Sequence, residues 1–139
     1  MIARRWLAVG AISGFIAVAV GAFGAHGLKQ VQPPIPPERL LAFDTGVRYQ
    51  MYHALAIVLC ALIADRVSKK WAGLASAWFA IGTVLFSFSL YALVLLDEKK
   101  LGIITPFGGL AFLVGWACLV AAALWPDAPE PASISHPAR

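Results

Sequence analysis

Residues 71–96 read WAGLASAWFAIGTVLFSFSLYALVLL, 26 consecutive residues without one charged side chain. A helix needs about 20 largely apolar residues to cross the roughly 30 Å hydrocarbon layer of a bilayer, so this run predicts a membrane span. Outward from it, three more segments have the same character: Trp6 to Ala25, Gly46 to Ala64 and Ile103 to Trp125. Lipid offers no hydrogen bonds to the backbone, so each run must satisfy its own peptide groups as an α-helix. The expected fold is an all-α integral membrane four-helix bundle on an up-down-up-down path.

The rest of the composition agrees. The 139 residues are 60% hydrophobic and 13% charged, with a mean hydropathy of +0.79, outside the range of ordinary soluble domains. The spans fill most of residues 1–125 and leave no room for a soluble domain. The net charge of +4 would point to nucleic acid in a soluble protein. Here the basic residues fall in short loops, where they orient the chain and touch lipid headgroups, so no nucleic-acid partner is expected. Cys60 and Cys118 both lie inside spans without CxxC spacing, which indicates neither zinc nor a redox pair. The first span follows Arg4 and Arg5 as a signal peptide would, but its apolar run exceeds the usual 7–15 residues and carries four glycines, so it reads as a retained helix.

Of the basic residues, six (Arg4, Arg5, Arg66, Lys69, Lys70, Arg139) fall on the N-terminal side and five (Lys29, Arg39, Arg48, Lys99, Lys100) on the other. The first helix usually dominates, and its flanks place both termini in the cytoplasm. The longest connection contains Pro33, Pro34, Pro36 and Pro37, then Glu38. Proline followed by an acid is a helix start, and a short interfacial helix is expected there, feeding the second span. The tail, residues 126–139, has four prolines and no periodicity and is expected to be disordered.

Water does not drive helices together in lipid, so close packing through small residues must. The first span offers Gly10, Gly14, Ala17, Gly21 and Gly24, and the fourth offers Gly108, Ala111, Gly115, Cys118 and Ala122. The second offers Gly46, His53, Ala56, Cys60 and Ala64, and the third Gly73, Ala77, Ala80 and Ser87. No charge lies on these stripes at mid-depth, which argues against an ion path across the bilayer.

On an up-down path the polar residues of the spans converge at one end: His26, Arg48, Tyr49, Gln50, His53, Ser87, Ser89, Tyr91 and Thr105. Tyr49 and Gln50 share the helical face of His53, and Arg48 lies one turn after Asp44. These nine residues are candidate ligand contacts at the outer face. An arginine with hydroxyl donors would suit a lipid phosphate or a quinone carbonyl. Paired histidines suit haem or copper, yet neither lies in a binding motif, so no cofactor or metal is expected. No acid within the bilayer orients a histidine for catalysis, and no catalytic residue is assigned.

The order of motifs resembles a known family. Ala11-Ile12-Ser13-Gly14-Phe15-Ile16, Gly21-Ala22-Phe23-Gly24-Ala25-His26, Thr45-Gly46, Tyr49-Gln50, His53 and Leu55-Ala56-Ile57 are similar to the YgdD/YwdK-like small membrane proteins. So are Gly82 to Ser87, Ser89-Leu90-Tyr91, Thr105-Pro106, Gly108-Gly109 and Gly115-Trp116. The resemblance implies a four-span bacterial plasma-membrane protein and supplies no activity. One departure is Phe88, where the family pattern Ser-Gly-Ser has glycine. The function expected is a structural or accessory subunit or small homo-oligomer, with a carrier of a lipid-like or quinone-like ligand as the alternative.

Overall fold

The computed structural model describes residues 2–125 and residue 127. Four α-helices dominate: α1 (Ile2–His26), α2 (Pro37–Ile63), α3 (Lys69–Leu95) and α4 (Thr105–Leu124). They have 25, 27, 27 and 20 residues. At about 1.5 Å per residue even α4 reaches about 30 Å, the hydrocarbon thickness. All four are long and apolar enough to cross a membrane. Single 3-10 turns, Leu28–Gln30 and Lys99–Ile103, lie in the first and third connections. Apart from Asp127, the tail expected to be disordered lies outside the described residues.

The interfacial helix expected ahead of the second span is not a separate element, because Pro37–Ile63 is one uninterrupted helix. Pro37 and Glu38 open it as the sequence suggested, and nothing then stops it. Arg48 Nε sits 3.0 Å from Asp44 Oδ2 one turn back, and Thr45 Oγ1 donates to the Leu41 carbonyl at 2.9 Å. Gly46 is tolerated because Tyr91 fills the space beside it. A Cβ there would come within 2.8 Å of the Tyr91 ring.

The helices pack in chain order, the end of each against the start of the next. Gly24 of α1 meets Phe43 of α2, and Gly10 meets Val58. Arg39, in the first turn of α2, pairs with Asp97 just beyond α3. Asp97 adopts φ 53°, a left-handed turn that aspartate tolerates better than most residues. Between α3 and α4 the fit is reciprocal. The Phe112 ring covers Gly82, the Phe79 ring covers Gly115, and the Phe86 backbone lies on Gly108. Buried Ile57, Cys60, Ala75, Phe79, Phe112 and Cys118 form the main core cluster.

On α3 the expected small-residue stripe holds only in part: Ser87 is fully buried and Ala80 packs against the core, but Gly73 does not meet a neighbouring helix. A Cβ on Gly73 would meet nothing within 4 Å. The buried face runs through Ala72, Ala75, Ser76, Phe79, Gly82 and Thr83 and continues through Ser87 and Tyr91. Alanine and glycine are so frequent in α3 that two small stripes compete. The bulk of Phe79 and the notch at Gly82 select the one that α4 can interlock with.

The start of α3 is closed by α4. Ser68 N–H donates to the Ala122 carbonyl at 3.1 Å, and Ser68 Oγ donates to Asp127 Oδ1 at 2.7 Å. Asp127 Oδ2 accepts the Lys69 backbone N–H at 2.8 Å, so a carboxylate from beyond α4 caps an orphan donor of α3. The bond from Ser68, then that from Lys69 N–H and the Lys69 charge, hold this carboxyl below its ordinary value of 3.8. A depressed native value means the contribution is complete above pH 3.8 and is lost as pH falls through the native value. Asp127→Ala is therefore expected to lower the unfolding midpoint at neutral pH. The gap from the parent should close on acidification below pH 3.8. A gap that persists there would show that the carboxylate charge is not what matters.

Candidate functional site

Gln50 is 1% exposed and lies at the meeting of three helices. Tyr91 Oη of α3 donates to Gln50 Oε1 at 2.8 Å, and Gln50 Nε2 donates to the Ser13 carbonyl of α1 at 3.1 Å. One amide thus ties α3 to α2 to α1. The ring of Tyr91 packs on Phe43 with centroids 4.9 Å apart.

Three residues along α2, His53 faces α4 instead. Its ring stacks on Phe112 at 3.4 Å with 4° between planes. Nδ1 lies 2.8 Å from the Tyr49 carbonyl, and since a carbonyl only accepts, Nδ1 carries the hydrogen. Nε2 is then the acceptor for the Trp116 indole N–H at 3.3 Å. Both ring nitrogens are used, and the ring is neutral. Tyr49 stacks on Phe86 at 4.6 Å, completing an aromatic wall between α2, α3 and α4. Trp116 is the twelfth of twenty residues in α4, so His53 lies level with the middle of α4 rather than at one end of the bundle.

A third link joins α3 to α4. Ser89 Oγ donates to the Phe86 carbonyl at 2.9 Å, which leaves Thr105 Oγ1 to donate to Ser89 at 2.8 Å. Two further polar groups of α3 bond to their own helix: Ser76 to the Ala72 carbonyl and Thr83 to the Phe79 carbonyl.

The nine candidate residues therefore do not form one cluster. Gln50 joins Tyr91, Tyr49 joins His53, and Ser89 joins Thr105. Arg48 is half exposed beside Asp44. His26 is exposed at the end of α1 and does not join His53. Ser87 is fully buried, and its Oγ has no hydrogen-bond partner among the described residues. Clefts of about 390, 240 and 230 Å³ are present, and none is lined by His26, Arg48, His53 or Tyr91. Among the described residues no group of three or more His, Cys, Asp or Glu could hold a metal.

Reading the polar residues alone missed their partners: Ser13, which acts through its backbone, and Phe79, Phe112 and Trp116. The usable signal was the Phe112–Trp116 pair at i,i+4 on the glycine-bearing side of α4. Such a pair inside a bundle supplies a flat wall and one N–H donor.

Residues 20–109 match the family described as "Protein of unknown function (DUF423)". The chain is 43% identical over 122 residues to the UPF0382 membrane protein YwdK of Bacillus subtilis (strain 168), covering 87% of this chain and 97% of that one. The chain belongs to this family. It is likewise 42% identical over 124 residues to the UPF0382 inner membrane protein YgdD of Escherichia coli (strain K12), covering 89% and 92%. A UPF0382 membrane protein of Haemophilus influenzae is 44% identical over 116 residues, covering 84% and 90%. No solved structure matches. Like these relatives, the chain is a membrane protein, and the family carries no assigned activity. Phe88, where the resemblance led us to expect glycine, is 40% exposed and lies in the groove between α1 and α3, so it fills no tight inner space.

Proposed function

We propose that this family member is a structural component of the bacterial plasma membrane, an accessory subunit or a small homo-oligomer, and not an enzyme. In this reading the helices cross up-down-up-down with both termini cytoplasmic, and the first turns of α2 lie at headgroup level outside. The observation that carries it is the way the interior polar groups are consumed. Gln50, His53, Ser89, Thr105 and Tyr91 hydrogen-bond to neighbouring helices, so none of these five is left free to act as acid, base or nucleophile. The outer face of α1, with Ile12, Phe15, Val18 and Phe23 exposed, supports assembly through that helix.

A carrier of a lipid-like or quinone-like ligand is the second reading. It draws on the 230 Å³ groove between α1 and α3, where Gln50 and Thr83 meet apolar walls. Native mass spectrometry of protein released gently from its own membrane separates the two. Multiples of the subunit mass, or a second polypeptide, are expected. A bare monomer would overturn the assembly reading. A stoichiometric small adduct that disappears in Gln50→Leu would put the carrier in its place.

A further inference from the structure

The 390 Å³ cleft lies away from Gln50 and His53, where the start of α1, the end of α2 and the start of α3 converge. Its volume is within the roughly 300–1,000 Å³ of small-molecule pockets. Trp6, Ala61, Ala72 and Gly73 line it together with the buried Cys60 and Ser76. Gly73 gives an independent measure of the space, since a Cβ there would meet nothing within 4 Å. The glycine that failed to pack against a neighbouring helix is a wall of this cleft.

The mouth has a different chemistry. Asp65 and Lys69 line it, paired at 3.5 Å across the connection between α2 and α3. Around them Arg4, Arg5, Arg66 and Lys70 are all exposed. Among the described residues Asp65 and Asp127 are the acids at this end, so five cations face two carboxylates there, one of which already caps α3. Lys70 lies 6.0 Å over the Trp71 ring, an arrangement that holds cation and indole at one level. An apolar slot along helix ends, topped by a surplus of cations and flanked by tryptophans, matches a lipid with an anionic head.

We propose that this cleft holds one acyl chain of an anionic phospholipid, with the phosphate on the basic rim formed by Arg66, Lys69 and Lys70. The inference is independent of the assembly reading, because it concerns a different surface. It holds whether the protein is a monomer or an oligomer.

The test is native mass spectrometry of the full chain in mild detergent. The probes are phosphatidylglycerol, phosphatidylcholine with the same acyl chains, and glycerol 3-phosphate. One phosphatidylglycerol is expected to stay bound at least tenfold more tightly than phosphatidylcholine, with no retention of glycerol 3-phosphate. Gly73→Leu should fill the cleft, abolish that adduct and leave the unfolding midpoint unchanged. Arg66→Gln with Lys69→Gln and Lys70→Gln should remove the preference between headgroups while a bound chain persists. Equal retention of the two phospholipids by the parent overturns the proposal. So does an adduct that survives Gly73→Leu. Retention of glycerol 3-phosphate by Gly73→Leu would identify a soluble-anion site on the rim and overturn it as well.

Discussion

Gly108→Ala is expected to destabilise the protein by about 1–3 kcal/mol, the usual cost of overpacking. Alanine is the better helix former by about 1 kcal/mol, so intrinsic propensity alone predicts the opposite sign. Tertiary contact wins because the new Cβ would fall under 3.0 Å from the N, Cα and Cβ of Phe86. Backbone atoms cannot rotate aside, so α3 and α4 must move apart along their whole reciprocal seam. At Gly82 and Gly115 the obstacle is a phenylalanine ring, which can shift in part, and the same change should cost less there. Gly73→Ala is the control: its Cβ enters open space, and stability should hold or rise by up to about 1 kcal/mol. Equilibrium unfolding in mixed micelles measures all four. Gly108→Ala matching its parent would mean the seam is looser than described.

His53→Ala should cost about 2–4 kcal/mol, in the range for truncating a large buried side chain. It removes the ring stacked on Phe112, opens a cavity between α2 and α4, and leaves the Trp116 indole N–H without its partner. Trp116→Phe keeps most of the wall and loses only the donor. Hydrogen bonds between membrane helices average about 0.6 kcal/mol, with a maximum near 1.7, so this variant should be several times milder. His26→Ala, at an exposed helix end, should stay within about 0.5 kcal/mol of the parent. The order His53, then Trp116, then His26 is the decisive result. If His53→Ala were as mild as His26→Ala, the aromatic wall would carry no stability and its histidine would need another explanation.

The same residues show how much could be read in advance. Long uncharged runs such as residues 71–96 identify a membrane helix with no tertiary information, because length and hydropathy are local properties set by bilayer thickness. Pro37 and Glu38 marked a helix start for the same reason. The glycines of α1 and α4 were legible as a packing stripe because a small residue every three or four positions can serve little else in lipid. On α3 the same rule selected Gly73, since a stripe names a face of a helix without naming the neighbour that covers it.

The candidate site was legible only in its parts. Depth and sequence order gathered nine polar residues at one end of the bundle. The helices instead draw six of the nine into three separate pairs and leave His26, Arg48 and Ser87 apart. Gln50 and His53 are three residues apart on one helix, yet their side chains go to different partners, one to Tyr91 and Ser13 and the other to Trp116 and Phe112. Small rotations of a helix about its axis decide such choices, and no local pattern encodes them.

By itself, then, the sequence determined the solvent this protein lives in, its four helices and its family. Each follows from runs of residues whose effects add along the chain. Only the tertiary structure decided that Gln50 meets Tyr91, that His53 meets Trp116 and that Ser89 meets Thr105, that α3 and α4 interlock phenylalanine on glycine, and that Gly73 opens onto a cleft instead of a neighbour. These depend on which side chains from distant segments meet within a few ångströms, and a hydrogen bond or a close contact exists only at that distance.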